Sequence, residues 1–255
     1  MRTSLVLAFF SIGIVSTTSK FDSQICSGLV EPSVLSVDKP MVDTIGNPGD
    51  SMILRCQFYA APQPQITWYH RGKRIESHRS AQYESILMEN QLGQSVVESA
   101  LRIDCLDEST IGEYFCEATS PCSPPVVSHA LVSMRKSSPK LSPMRHQCRK
   151  STTTTTTPYI AMFTMTRIEL PGGVTQLACR ANGSPPPMVS WSRVEEDESL
   201  TPIVANGGPS NYMQLPNNDL LIVGDDTTVS ESFRCTAENE YGSDYQEASV
   251  IYMTA

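Results

Sequence analysis

Residues 111–119 read "IGEYFCEAT" and place Gly112, Tyr114 and Cys116 at intervals of two. Alternation of this kind is typical of a β-strand that buries one face, so Tyr114 and Cys116 point the same way. A cysteine on the buried face of a strand needs a partner in the facing layer of the fold. The sequence upstream of residue 111 supplies that partner.

A cysteine is followed twelve residues later by a tryptophan at two places in the chain, each time across a proline-rich turn. The two stretches read "ILRCQFYAAPQPQITWYH" (53–70) and "QLACRANGSPPPMVSWSR" (176–193). The second cysteine of each copy follows the first by 60 and 56 residues: Cys56, Trp68 and Cys116 in one copy, and Cys179, Trp191 and Cys235 in the other. A chain of 255 residues accommodates two such units of about 100 residues each.

This spacing is the signature of an immunoglobulin sandwich. The two cysteines lie in opposite sheets, their bridge crosses the core, and the tryptophan packs on the bridge. The sequence therefore predicts an all-β chain of two I-set type immunoglobulin-like sandwiches in tandem, joined by a linker rich in Thr, Pro and basic residues. We expect disulfide bonds between Cys56 and Cys116 and between Cys179 and Cys235, with Trp68 and Trp191 in the cores.

The second copy departs from this pattern at one corner. In the first copy, the hydroxyl of Tyr114 is expected to bond back to the backbone between strands E and F. Phe233 stands at the equivalent position of the second copy, and Glu231 replaces Gly112. The second corner must therefore close in a different way.

The first residues, "MRTSLVLAFFSIGIVSTTSK", have one basic residue, a short apolar run and then small residues, as in a secretory signal. A secreted chain with eight cysteines and no hydrophobic tail is expected to be soluble, extracellular and disulfide-bonded. The net charge of -8 argues against nucleic-acid binding. The expected organisation is a signal peptide at 1–19, an N-terminal arm at 20–31, a first domain at 32–134, a linker at 135–157 and a second domain at 158–255.

Four cysteines remain outside the two core bridges. A metal site is disfavoured because no two of them are in a C-x-x-C spacing and the compartment favours bridges. In an immunoglobulin sandwich, strand A begins at the end of the sandwich that carries the F–G loop. Strand E finishes at the opposite end, where strand G also runs out into the linker. This topology predicts the pairs Cys26–Cys122 and Cys105–Cys148, which would attach the arm and the linker to the first domain.

Motifs of catalysis are absent from the sequence, and we expect neither enzymatic activity nor a cofactor. The acidic run "EEDES" (195–199) is interpreted as a solvated loop. A basic patch is a candidate surface for sulfated glycans, with solubilising charge as the alternative; its residues are Arg71, Lys73, Arg74, Arg79, Arg145, Arg149 and Lys150. Asn182 lies in a glycosylation sequon whose use Pro185 disfavours.

Three stretches carry a resemblance to a known family: "PYIAMFTMTRIELPGGVTQLACR" (158–180), "LPNNDLLIV" (215–223) and "CTAENEYG" (235–242). The chain resembles the nematode zwei-Ig proteins, which are secreted and have two immunoglobulin domains, and it is similar to the insect secreted two-domain protein that binds insulin-like peptides. The six-threonine run of the linker and the corner at Phe233 depart from the family pattern.

The resemblance implies an extracellular protein that binds another protein. One role is cell-surface recognition, including maintenance of axon position in the nervous system; the alternative is sequestration of an insulin-like peptide hormone. A third interpretation, a decoy or immune-modulating ligand of a parasite, needs the same surface. Hormone binding requires exposed aromatic anchors, for which Tyr69, Tyr83 and Tyr212 are the candidates.

Overall fold

The computed structural model describes residues 26–79, 90–135, 148, 155–204 and 211–253, and their regular structure is almost entirely β-strand. In chain order the strands are β1 (Val34–Lys39), β2 (Thr44–Gly46), β3 (Met52–Ala61), β4 (Gln65–His70), β5 (Lys73–Arg79), β6 (Gln94–Ile103), β7 (Gly112–Ser120), β8 (Ser123–Met134), β9 (Thr156–Glu169), β10 (Val174–Leu177), β11 (Cys179–Ser184), β12 (Met188–Val194), β13 (Leu200–Pro202), β14 (Tyr212–Gln214), β15 (Leu220–Val223), β16 (Ser230–Asn239) and β17 (Gly242–Tyr252).

The first domain is a two-layer sandwich. One layer is a five-stranded sheet in the order β2-β8-β7-β4-β5, and the other contains β1, β3 and β6. Strand β3 buries Leu54, Cys56 and Phe58, while Arg55 between them is exposed and Gln57 is half-buried, which is the alternation expected of a sheet with one buried face. Trp68 is fully buried beside the bridge, and its indole N–H donates to the hydroxyl of Ser99 at 2.9 Å.

The second domain packs β12, β13, β16 and β17 against a three-stranded sheet in the order β10-β15-β14. Its core contains the buried side chains of Leu177, Trp191 and Phe233 around the second bridge. Trp191 also stacks on Phe163 of β9, with ring centroids 6.0 Å apart. The fold class predicted from the two cysteine–tryptophan patterns is thus confirmed.

Strand β9 joins the two domains into one sheet. It pairs antiparallel with β6 of the first domain, parallel with β17, and antiparallel with β11. The sheet therefore runs β1-β3-β6-β9-β17-β16-β12-β13, with β11 attached to β9. Beside β6, β9 takes the position that strand D holds in an immunoglobulin domain, so the second domain supplies the fourth strand of this first-domain sheet.

Strand β9 contributes side chains to both hydrophobic cores. Its register shifts against β6 between Val96 and Val97, and against β11 at two further places. Met162 is fully buried in the core of the first domain, whereas the neighbouring Phe163 is buried in the core of the second. Consecutive side chains of a strand point to opposite faces, and at Met162 and Phe163 each face of β9 meets a different hydrophobic core.

All eight cysteines are paired. The core bridges are Cys56–Cys116 and Cys179–Cys235, and the other two are Cys26–Cys122 and Cys105–Cys148. These are the four pairs that the sequence predicts. Because Cys148 is bonded to Cys105, the linker is attached to the first domain part-way along its length.

The corners between strands E and F, which are β6 and β7 in the first domain and β15 and β16 in the second, close differently. The Tyr114 hydroxyl donates to the carbonyl of Thr110 at 2.7 Å, as in a tyrosine corner. In the second domain, the Tyr212 ring meets Phe233 edge-on at 5.4 Å, and its hydroxyl donates to the Glu231 carboxylate. Glu231, which stands at the position of Gly112, thus accepts a hydroxyl bond from Tyr212. This bond takes the place of the one that Phe233, with no hydroxyl, cannot donate.

Candidate functional site

Glu169 locks one end of the seam between the domains. Its side chain is fully buried and accepts the backbone N–H groups of Leu92 at 2.7 Å and Gly93 at 3.2 Å, both from the first domain. The guanidinium of Arg167, also fully buried, lies 3.2 Å from the same carboxylate. A buried charge is stable only when it is paired and hydrogen-bonded, and here the partners come from both domains.

A second polar lock lies where the β3–β4 loop meets β9 and β10. The Gln63 amide donates to the carbonyl of Gln176 at 2.7 Å and accepts the hydroxyl of Thr164 at 2.9 Å. The same hydroxyl accepts the N–H of Ala178 at 3.0 Å. Gln63, Thr164 and Gln176 are all buried, so these bonds form away from water and fix the loop of one domain to the strands of the other.

A crevice of about 210 Å³ marks the other end of the seam. Arg102 of β6 donates to the carbonyl of Thr157 at 3.0 Å and lies over the Tyr159 ring, 4.5 Å from its centroid. The amide of Asn182 donates to the carboxylate of Glu76 in the first domain and to the Tyr159 hydroxyl. Burial raises the pKa of Tyr159, so this hydroxyl is neutral at physiological pH.

One face of the long sheet is a continuous surface across both domains. Side chains that pair across strands share a face, and along Thr166–Glu169 of β9 the buried sides of both sandwiches lie on one face, since Val250 pairs with Arg167 and Arg167 with Ser95. The opposite face carries a row that crosses four strands from the first domain to the second. We call it the seam face; its residues are Tyr59, Val96, Thr166 and Ser249, with Ile168 and Ile251 in the next row.

The seam face combines an apolar centre with a polar edge. Val96 and Ile168 are half-buried, and Ile251 is 38 % exposed. At the edge, the Tyr59 hydroxyl donates to Gln94 at 2.7 Å, and the Gln94 amide donates to Glu31 at 2.9 Å. Burial raises the pKa of Tyr59, with a further contribution from Glu31, so the edge presents a neutral hydroxyl. Such a surface suits a protein partner.

The basic residues predicted from the sequence do not assemble into one described patch. Arg71 donates to the carbonyls of Glu108 at 2.7 Å and Ile111 at 3.2 Å, which assigns it to the E–F corner. Lys73 and Arg74 are exposed on β5. The remaining members, the side chain of Arg79 and residues Arg145, Arg149 and Lys150, lie outside the part of the chain that the structure describes.

The other candidate residues fall in different places. Asn182 of the sequon lies in the seam crevice, with its amide engaged as described above. Tyr212 belongs to the second E–F corner, and Tyr69 donates to Glu117 at 3.0 Å on the outer face of the first domain. Tyr83 lies outside the described residues.

Two other kinds of feature are absent from the described residues. Within the described part of the chain, no group of three or more His, Cys, Asp or Glu residues is arranged to hold a metal ion. No helix within the same residues is long and apolar enough to cross a membrane.

Comparison with known proteins agrees with this architecture. Residues 31–120 match the immunoglobulin domain family, and residues 165–251 match the immunoglobulin I-set domain. Zwei Ig domain protein zig-3 of Caenorhabditis elegans is 28% identical over 225 residues, which are 86% of this chain and 81% of that protein. Zwei Ig domain protein zig-4 of the same organism is 26% identical over 232 residues, 89% of this chain and 83% of that protein.

A solved structure extends the likeness to both domains together. The crystal structure of neural ectodermal development factor IMP-L2 covers 88% of this chain and 97% of its own, with a TM-score of 0.61 and 21% sequence identity. At this identity the likeness concerns the fold. Both halves of the chain thus belong to the immunoglobulin domain family, and the whole chain resembles the two-domain zwei-Ig proteins of Caenorhabditis elegans.

Proposed function

We propose that the chain is a secreted extracellular protein that binds a folded protein partner through the seam face. The observation that carries this proposal is the single sheet that passes through both domains by way of β9. Binding costs the ordering of mobile parts, and a surface already fixed by strand pairing avoids that cost. A face assembled from two domains is rigid only while the seam is closed, and the buried locks at Glu169 and Gln63 keep it closed.

The role in cell-surface recognition, including maintenance of axon position, is supported by the similarity to the zwei-Ig proteins over most of the chain. Four disulfide bonds and the immunoglobulin fold are consistent with an extracellular location. In this role the partner is the ectodomain of a cell-surface protein, and contact with sulfated glycans through Lys73 and Arg74 would be secondary.

Sequestration of an insulin-like peptide is the second candidate. It is favoured by the apolar centre of the seam face, because a small helical peptide buries its apolar side against such a surface. The three aromatic anchors considered from the sequence do not lie on this face where they are described. Tyr59, with its neutral hydroxyl, replaces them as the candidate anchor.

The test uses the full secreted, oxidised chain on a sensor, presented first with insulin-like peptides and then with ectodomains of neuronal surface proteins. The variant Ile251→Glu places a charge on the seam face. The matched control, Ile53→Glu, changes an isoleucine of similar exposure on β3 (43% against 38%) that lies on the same side of the sheet but six residues along the strand from Tyr59, outside the rows of the seam face. Both variants should retain the β-rich far-ultraviolet spectrum of the parent chain.

Binding that survives added salt and is lost in Ile251→Glu, but not in Ile53→Glu, would support the seam face and identify the class of partner. A partner bound equally well by both variants would place recognition elsewhere on the molecule. Binding that disappears with moderate salt would point to the basic residues, because exposed charges are screened within about 8 Å at physiological ionic strength.

A further inference from the structure

A second exposed apolar surface lies on the opposite side of the first domain. It is the outer face of the five-stranded sheet, here called the domain-one face; its residues are Ile45, Tyr69, Phe115, Val127, His129 and Leu131. Ile45 on the edge strand β2 is 55% exposed; Val127 and Leu131 on the next strand, β8, are 46% and 44% exposed, which is high for aliphatic side chains inside a sheet. The core-facing neighbours on the same strands, such as Trp68, Cys116 and Ala130, are fully buried.

The centre of the domain-one face is a preformed aromatic row. Phe115 pairs with His129 on one side and with Tyr69 on the other, and the row ends at Arg74, the partner of Tyr69. The rings of Phe115 and His129 lie 5.9 Å apart. The bond from the Tyr69 hydroxyl to Glu117 at 3.0 Å fixes the third ring. Rigid aromatic side chains surrounded by polar groups are typical of the energetic centre of a protein interface.

The domain-one face carries charges of both signs. The carboxylates lie on β7 in the rows on either side of Phe115, and the cation lies at one end of the aromatic row. Glu113 is paired with Leu131, and Glu117 is paired with Val127. Arg74 stands at the β5 end of the row and is exposed. The face is therefore complementary to a second copy of itself. The apolar centre of one copy can pack on that of the other, and the cation of one copy can pair with a carboxylate of the other.

The geometry points to a second copy of this chain as the occupant of the domain-one face, in a two-fold dimer. A two-fold interface uses the same patch on both copies, so a surface must be complementary to itself, as this one is. In such a dimer the Arg74 of each copy meets an acidic residue of the other. Five strands at about 4.8 Å spacing and four rows of side chains give roughly 400 Å² in projection per copy, or about 800 Å² for the pair, which is the size of a weak, reversible interface.

Dimerisation through this face would make the protein bivalent. The five-stranded sheet and the long sheet are the two layers of the first domain, so the domain-one face and the seam face point in opposite directions. Two copies joined at their domain-one faces would therefore present their two seam faces outward on opposite sides. The dimer itself does not depend on the seam face having a partner, so the two proposals are tested separately.

The experiment is sedimentation-equilibrium centrifugation of the full, oxidised chain over a concentration range up to about 100 µM, which extends to the micromolar affinities of a weak interface. The test variant is Val127→Gln with Leu131→Gln, which removes the exposed aliphatic side chains on either side of the aromatic row without adding charge. The matched control is Ile53→Gln, on the other layer of the first domain. We expect a concentration-dependent dimer for the parent chain and the control, and at least a tenfold weaker dimer for the test variant.

A charge exchange tests which charged residues meet across the dimer interface. Arg74→Glu should weaken the dimer, and adding Glu113→Arg in the same chain should restore it; Glu113 is chosen because changing it leaves the bond between Tyr69 and Glu117 intact. A chain that is monomeric throughout the range overturns the proposal, as does a dimer that the glutamine variant leaves unchanged. Failure of the exchange to restore the dimer overturns the pairing of Arg74 with Glu113 of the second copy. A monomer that loses binding to another protein in the glutamine variant assigns the face to that protein instead.

Discussion

Replacing Met162 with alanine should destabilise the first domain, although Met162 lies in a strand of the second. The Met162 side chain is fully buried among residues of the first-domain core. The change removes three heavy atoms, worth about 2.4 kcal/mol at roughly 0.8 kcal/mol per methylene-sized group. With the cavity that remains, we expect a loss of about 3 kcal/mol, within the range of buried methionine-to-alanine changes. For a cooperative unit of this size, the midpoint of thermal unfolding should fall by about 6–12 °C.

The measurement is hydrogen exchange followed by mass spectrometry, compared with the matched control Met165→Ala. Met165 lies three residues further along β9 and packs against the core of the second domain. Met162→Ala should accelerate exchange in β3 and β7, whereas Met165→Ala should act first on β12 and β16. If both variants changed the second domain alone, the argument that β9 completes the first domain would be refuted.

Three further predictions concern the seam and the corners. Glu169→Ala leaves the Arg167 charge buried without its carboxylate and should cost about 3–5 kcal/mol, measured by chemical denaturation, with faster amide exchange at Leu92; unchanged exchange there would contradict the interdomain role. Replacing Cys105 and Cys148 with serine lengthens the tether before Thr156 from 8 to 21 residues, counted from Cys148 and from Arg135. Seam opening, measured by exchange in β6, should then become about fourfold more frequent, since closure entropy grows with loop length. The Asp225 carboxylate accepts the N–H groups of Thr227 and Thr228, which lowers its pKa to about 2. Its contribution to stability should be present above the ordinary pKa near 4 and be lost as the pH falls towards 2, so calorimetric midpoints of the parent chain and Asp225→Asn should converge at the acidic end.

The sandwich and its bridges could be predicted because they rest on covalent and steric rules that leave a mark in the sequence. Cysteine, tryptophan and tyrosine at fixed spacings have few alternative interpretations. The bonds of Cys26 to Cys122 and of Cys105 to Cys148 follow from where the strands begin and end. The replacement of Tyr114 by Phe233 in the second copy correctly indicated a different corner. It did not indicate that Tyr212 and Glu231 would supply the missing bond, because that contact joins residues 19 positions apart.

The seam could not be predicted because its residues follow the pattern of an ordinary strand. In "TMTRIE" (164–169), Arg167 and Glu169 stand on either side of Ile168, and charges in such a run are normally placed towards solvent. Their burial depends on a second domain that approaches from the side the pattern assigns to water. The same reason conceals the seam face: Val96 and Ile168 become neighbours only when two separate units share one sheet.

The position of β9 also determines when the first domain is finished during synthesis. Its own last strand ends at Met134, but the strand that covers the edge of β6 ends only at Glu169, 35 residues later. At about 5–20 residues per second, the nascent first domain waits roughly 2–7 seconds with an unpaired strand and an unfilled place in its core. For that interval the growing chain displays a template for pairing with any extended segment nearby. On the secreted route proposed above, a folding factor that binds exposed strand edges would meet this edge in every copy of the chain.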